Sequence, residues 1–429
     1  IRVYADAMYE LIRPICPVAC EAFEEYRLEA GAWLADNMPI LDPLANPNEQ
    51  TKDHLKDLAK RLYRGGYSGI CFPTEVSGAG LSRSHHRVFC EEAVGYELPV
   101  YLGNPGLSII APPILEFGTD EQKQHIEAML QGERLFVQMM SEPSGGSDMA
   151  GALTRADRDG DSWILNGSKI WSSGAWRADW GLILVRTNWD VPKHRGLSLF
   201  LLDLSLPGVT VNNIKMVDGT EEFCQEFFDD VMVPHSCLLG QPNDGWTVAS
   251  RLLFHERNAV GGGSPYNYNR PKSSQAAKSR GANIARLAQR SGQANDPRTR
   301  ELIGEAHANE LVSQQLIERI TEGISSEQMP PIAGSLLRLN MGETMVRRAT
   351  IALEVVGGDG ITWEPDDVSP QPAEQFIARQ ASCIGGGTTE MQRNLISERL
   401  LGMPREPAPD KDKAFREVHQ SIGKETRRS

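Results

Sequence analysis

Trp163-Ile164-Leu165-Asn166-Gly167-Ser168-Lys169-Ile170-Trp171 is the stretch that decides the architecture. Apolar, β-favouring residues stand on both sides of an Asn-Gly dipeptide, in runs too short for a helix. The segment reads as two strands joined by a tight type I′ turn at Asn166-Gly167. Asp159-Gly160, just upstream, is a second dipeptide of the same kind. Further strand candidates lie at 182–187, 197–204 and 209–216, and in the segment ending Asp230-Val231-Met232-Val233-Pro234. Residues 136–240 therefore read as a β module.

On either side the period lengthens to that of helices. Leu55, Leu58, Ala59, Leu62 and Tyr63 share one face, and Gly65-Gly66 stops the run. Thr119 with Gln122 forms a capping box ahead of Ile126, Met129 and Leu130. Beyond the strands, Ser335 is placed to cap a long helix through Leu339, Met341 and Ala349 that ends at Gly357-Gly358. A last helix spans Thr389 to Leu401, stopped by Gly402 with Pro404 beyond. Residues 261–297, rich in Ser, Gly, Asn and basic side chains, read as a loop-like excursion rather than core. From Pro407 the tail is polar, either mobile or docked on the surface. The expected division is an N-terminal helical domain at 1–135, a β domain at 136–240, a C-terminal helical domain at 241–406 and a tail at 407–429. Segregated runs of this kind predict an α+β fold and argue against a Rossmann sheet.

The 429 residues include 44 Lys+Arg against 57 Asp+Glu, a formal charge of −13. At roughly 150 residues per domain this length predicts two to three domains. The acidic excess argues against nucleic acid as the main partner, since phosphate neutralisation needs clustered Lys and Arg. The longest apolar run, 196–206, contains Asp203 and is shorter than the roughly 18 residues a membrane span needs. Arg2, Asp6, Glu10 and Arg13 leave no apolar signal-peptide stretch in the first residues. Seven scattered cysteines (Cys16, Cys20, Cys71, Cys90, Cys224, Cys237 and Cys383) lack zinc-site spacing. They read as thiols of a reducing compartment, so a cytoplasmic location and no metal are expected.

Nucleotide loops of the usual kinds are missing. Gly423-Lys424 is followed by Glu425 and lacks a glycine-rich loop; no G-x-G-x-x-G follows a strand. His255-Glu256 begins like a zinc-protease motif, but Ala259 stands where the second histidine belongs. What remain are two glycine-rich turns, Ser141-Glu142-Pro143-Ser144-Gly145-Gly146-Ser147-Asp148 and Ile384-Gly385-Gly386-Gly387-Thr388-Thr389-Glu390. Each offers unshielded backbone N–H groups beside short hydroxyls, and the second opens a helix, where such groups favour an anion. Either could equally be an ordinary turn or cap.

Taken together with Asn166 to Ser173, Val356-Gly357-Gly358-Asp359-Gly360 and Gly387 to Asn394, these turns resemble four motifs of the acyl-CoA dehydrogenase family, in order and over nearly the whole chain. The resemblance implies an N-terminal helical domain, a middle β-barrel-like domain and a C-terminal four-helix bundle. It implies FAD between the last two domains, shared across a dimer or tetramer, with an acyl-CoA substrate and an electron-transfer flavoprotein as acceptor. Gln138, Met140, Ser141, Gly146 and Ser147 would lie along the flavin, with Ser147 also near substrate. Trp171 and Ser173 would flank it, and Thr388 and Glu390 would sit by its pyrophosphate and ribityl chain. Gly357 and Gly358 would approach the adenine of the neighbouring subunit's FAD, where a Cβ would obstruct.

The sequence departs from the family in two places. Many members carry the catalytic glutamate where this chain has Gly386, whose backbone N–H would still serve the thioester carbonyl. Isovaleryl- and long-chain-type members instead carry it directly before an arginine, on the helix that opens the C-terminal domain. Here Glu256-Arg257 matches, with Glu256 as base and Arg257 bracing the binding site. The family's Arg-x-x-Phe-Gly stretch is also missing; in its place come Arg270, Lys272, Lys278, Arg280, Arg286 and Arg290, to which no role is assigned. Three readings result: a dehydrogenase making trans-2-enoyl-CoA, a same-fold flavin monooxygenase, or a non-catalytic subunit of a heteromer.

Overall fold

A computed structural model describes residues 17–41, 50–100, 105–217, 219–260, 263–268, 284–361 and 372–419. Arg2, Asp6, Glu10, Arg13, Cys16, Arg270, Lys272, Lys278, Arg280 and Gly423-Lys424 lie outside these residues.

The N-terminal helices are α1 (Pro17–Asn37), α2 (Lys52–Arg64), α3 (Arg83–Glu92), α4 (Ala111–Phe117) and α5 (Asp120–Leu130). Along α2 the expected face is buried at Leu55, Leu58, Ala59 and Leu62, each leucine contributing about 2 kcal/mol. Gly66 closes the helix at φ +78°, a conformation that disfavours a side chain. The Thr119–Gln122 capping box of α5 forms in both directions. Gln122 also donates to the carbonyls of Ser236 (2.7 Å) and Leu238 (2.9 Å), which ties the helix to the sheet.

The sheet follows: β1 (Phe136–Met139), β2 (Arg155–Asp159), β3 (Ser162–Ser173), β4 (Trp180–Arg186), β5 (Leu197–Asp203), β6 (Val209–Asn213), β7 (Phe223–Pro234) and β8 (Leu238–Leu239). Its order is β6-β7-β3-β2-β4-β5-β8, with β1 parallel to β4. Among the described residues it does not close between β6 and β8, so it is barrel-like without being a barrel. One turn expectation fails. Asn166-Gly167 is no hairpin: β3 runs straight through it against β7, with irregularities at 165/167 and 170/172. A Cβ on Gly167 would sit 2.7 Å from Thr154 Cα, so glycine is needed for close approach rather than for turning. The hairpin is at Asp159-Gly160, where Asp159 pairs Ser162 and Gly160 has φ +55°.

The C-terminal bundle contains α6 (Gly245–Val260), α7 (Pro297–Ser325), α8 (Gly334–Val356), α9 (Pro372–Ala378) and α10 (Thr389–Leu395), the last continuing as a wide turn at Ile396–Leu400. Antiparallel α7 and α8 are laced by Asn340 to Ser313 and by a bidentate Arg347–Glu305 pair. Ser335 does not cap α8. Helical geometry already begins at Gly334, and the serine is buried with its Oγ unpartnered. The described ends of the excursion, 263–268 and 284–297, pack into core rather than standing off as loop. Tyr268 is buried in the N-terminal core, and Ile284 and Ala288, on a helical stretch at 284–290, pack with Leu302, Ile351 and Val355. The tail docks through Phe415, which is buried. Among the described residues no helix is long and apolar enough to cross a membrane.

Candidate active site

Glu256 falls four residues after buried Leu252 on α6, hence on the face turned to the core. A bidentate bond from Arg251 to Glu116 (2.6 and 2.7 Å) and one between His255 and Glu116 (3.0 Å) pin that helix to α4. Glu256 Oε1 accepts a hydrogen bond from Gln138 Nε2 on β1 at 3.0 Å, while the Gln138 Oε1 is buried with no partner. Although the residue keeps some exposed surface, desolvation around its carboxyl pushes the Glu256 pKa up. The Gln138 amide, Arg257 and Arg338 oppose the shift without cancelling it. Burial lowers the pKa of Arg257, and adjacent Glu256 acts against that. Consecutive helical residues point about 100° apart, so this arginine need not neutralise the carboxylate.

Across from Glu256 lies the glycine tract. Gly386 and Gly387 have φ of +71° and +85°, and a Cβ on Gly386 would stand 3.2 Å from Arg338 Nε and 3.8 Å from the Val260 side chain. A glutamate at 386 would therefore be strained and pressed against Arg338. Val260 is one helical turn beyond Glu256, so Glu256, Gln138, Gly386 and Arg338 belong to one cleft. Arg338 donates from Nε to the Gly385 carbonyl (2.8 Å) and from a second nitrogen to the same oxygen. Gln392 Nε2 holds the carbonyls of Gly386 (3.2 Å) and Gly387 (3.3 Å).

The 141–148 turn leaves β1 and is tied to β3. Ile170 N–H donates to the Ser141 carbonyl at 3.0 Å. Glu142 is buried, accepts from the N–H groups of Leu153 and Thr154, and pairs with fully buried Lys169 at 2.7 Å. Lys169 also reaches the Met140 carbonyl at 3.2 Å. Gly146 and Ser147 are left at the surface, and Asp148 is held by Lys193 at 2.6 Å. At the end of β3, Trp171 has φ +70° and is 50% exposed, with Phe223 edge-on at 5.9 Å. Strain of this kind costs on the order of 1–3 kcal/mol and clusters at binding surfaces. Ser173 pairs with Phe223 on β7.

Thr388 caps α10 by accepting from Met391 N–H at 3.1 Å, and Glu390 is exposed in its first turn. Gly357 and Gly358 are not brought to this cleft. They end α8, whose start carries Arg338, so 19 residues at 1.5 Å place them about 28 Å away. Sequence reasoning did not find Arg338, Gln392, Glu142 or Lys169. A glycine at position 342 inside a long helix was the visible signal for the first, since Arg338 lies over it.

Sequence profiles of the acyl-CoA dehydrogenase N-terminal, middle and C-terminal domains match residues 23–133, 138–231 and 243–401. The chain is 33% identical over 390 residues to acyl-CoA dehydrogenase IpdE1 of Mycobacterium tuberculosis, covering 89% of this chain and 98% of that one. It belongs to the acyl-CoA dehydrogenase family. The long-chain specific acyl-CoA dehydrogenase of Rattus norvegicus is 26% identical over 374 residues, 82% of this chain and 81% of that protein. A solved structure titled Tcur3481-Tcur3483 steroid ACAD superposes with a TM-score of 0.74 at 25% identity, covering 90% of this chain and 98% of that one. Acyl-CoA dehydrogenases are FAD-dependent oxidoreductases of CH–CH bonds, and this chain is one of them. Its residues fit the cofactor. The strained, half-exposed Trp171 offers a flat apolar ring, and the buried Gln138 Oε1 awaits a donor. A Cβ built on Gly357, Gly358 or Gly385 would meet no atom of the chain within 4 Å.

Proposed function

We propose that Glu256 is the base of an α,β-dehydrogenation that converts an acyl-CoA to its trans-2-enoyl-CoA. The observation that carries this is the desolvated Glu256 carboxyl, held by Gln138 in one cleft with Gly386. The Glu256 carboxylate takes the α-proton, and its raised pKa brings it nearer to that weak acid. The Gly386 N–H donates to the thioester carbonyl as negative charge develops there. The β-carbon hydride would leave to bound FAD, whose chemistry is that of a two-electron acceptor, so that both C–H bonds break as the double bond forms. Gln138, Met140, Ser141, Gly146, Ser147, Trp171, Ser173, Thr388 and Glu390 would hold the cofactor, and Gly357 and Gly358 would contact that of a neighbouring subunit. Arg257 would brace the acyl-CoA, together with Ser147. An electron-transfer flavoprotein would reoxidise the enzyme in the cytoplasm.

For the substrate we propose a bulky, steroid-derived acyl-CoA, supported by the steroid dehydrogenase among the solved relatives. A second reading, one subunit of a heteromer, is favoured by the missing Arg-x-x-Phe-Gly stretch and by the two-chain title of that relative. A monooxygenase would have no need of the buried base. The test compares kcat/KM for steroid side-chain and straight-chain acyl-CoAs with the purified chain alone. Preference for the steroid thioester supports the substrate proposal, and preference for straight chains refutes it. Lack of FAD binding without a second polypeptide would select the heteromer.

A further inference from the structure

We propose that Arg338 is a positioning residue: by clamping the Gly385 carbonyl it sets the direction of the Gly386 N–H. The inference rests on the reading of that N–H as the donor to the thioester. The two groups belong to one peptide unit. In a planar trans peptide the C=O of one residue and the N–H of the next lie in one plane and point in opposite directions. Whatever holds the Gly385 oxygen therefore aims the Gly386 hydrogen.

This plane needs holding. Gly385, Gly386 and Gly387 are consecutive, and glycine populates both signs of φ about equally, so the unit could rotate at little cost. Gln392 fixes the next two carbonyls, at Gly386 and Gly387. Arg338 holds the first, at Gly385. A charged donor on the carbonyl also polarises the peptide, which makes the opposite N–H a stronger donor. Arg338 reaches across because Gly342, one turn on, has no side chain. A Cβ there would stand 3.1 Å from a guanidinium nitrogen, 3.1 Å from the Ser382 carbonyl and 3.2 Å from Thr389. Glycine is disfavoured inside a helix relative to alanine, and the path of Arg338 accounts for its presence here. The guanidinium is itself buried, so the clamp is shielded from competing water.

The test uses the FAD-loaded enzyme with acetyl-CoA labelled with 13C at its carbonyl, a thioester that has no β-carbon and cannot react. Donation to the carbonyl lowers its stretching frequency in infrared difference spectra. The parent should show that lowering. Arg338→Met should return the band toward its free position and reduce kcat on a turned-over acyl-CoA by roughly ten- to hundredfold, with KM little changed. Arg338→Lys should recover part of both. Gly342→Ala, which crowds the guanidinium without removing it, should shift the band the same way and serves if Arg338→Met fails to fold. An unchanged band and kcat in Arg338→Met, or in Gly342→Ala if only that variant folds, would overturn the proposal. A parent that dehydrogenates no acyl-CoA would instead remove the dehydrogenase reading, while the carbonyl band still reports on Arg338.

Discussion

Two desolvated carboxylates show how one residue type serves different ends. Glu256 keeps some exposed surface, and desolvation of its carboxyl raises its pKa. On the proposed role of Glu256 as base, activity needs its ionised form, so kcat/KM should rise with pH as Glu256 loses its proton, and a Glu256→Gln variant should lose that limb with nearly all turnover. Glu226 lies inside the sheet, opposite Lys169 on β3, accepts from Ser172 Oγ at 3.1 Å, and is pushed up to about 7 by burial. Because its folded pKa is raised, its contribution to stability is present below about 4.5 and is lost as pH rises through about 7. Glu226→Gln, neutral throughout, should match the parent at pH 4 and exceed it at pH 8 by about 3 kcal/mol. Thermal melts across that range check the sign. Glu256 was legible as a candidate base because it stands directly before Arg257, where the family resemblance places that residue. Arg338 was not, because its partner Gly385 is 47 residues away and no local pattern links them.

At the scale of elements, the buried Lys169–Glu142 pair fastens the 141–148 turn to β3. Lys169→Met leaves Glu142 as an uncompensated buried charge and should destabilise the chain by about 3–5 kcal/mol. Adding Glu142→Gln should restore much of that, read by urea denaturation. The same strand shows why a dipeptide rule misled. Asn166-Gly167 has hairpin chemistry, but the partner that organises it is β7, which pairs on both sides of the dipeptide and draws β3 through as one strand. Ser335 misled for a similar reason, since the turn at Pro331–Ala333 brings the chain into helix before the serine is reached. The α5 cap was legible because both of its partners lie within four residues.

For the whole molecule, helices, strands and helices in that order were readable from periodicity, because each region buries one continuous face. The connections were not. The composition of 261–297 reads as loop, yet Tyr268 enters the N-terminal core and Asn267 donates to the Ala259 carbonyl at 2.9 Å, bracing the end of α6. The tail returns to the sheet, where Phe415 lies 4.0 Å from the Arg186 guanidinium and Arg416 pairs with Asp190 at 2.9 Å. Arg186 in turn holds the Ala150 carbonyl, just past the 141–148 turn, and that of Lys193. Phe415→Ala should release the tail, and limited trypsin digestion should then cut at Lys411, Lys413 or Arg416 at least about tenfold faster.

The central claim, that Glu256 removes a proton so that an acyl-CoA can reduce the bound flavin, is tested most directly by anaerobic titration of the purified protein with a panel of acyl-CoAs. The account predicts that one class bleaches the flavin absorbance of the parent, and that Glu256→Gln binds the same thioester but stays yellow. Bleaching at the parent's rate in Glu256→Gln would contradict it, as would a parent flavin that no thioester reduces.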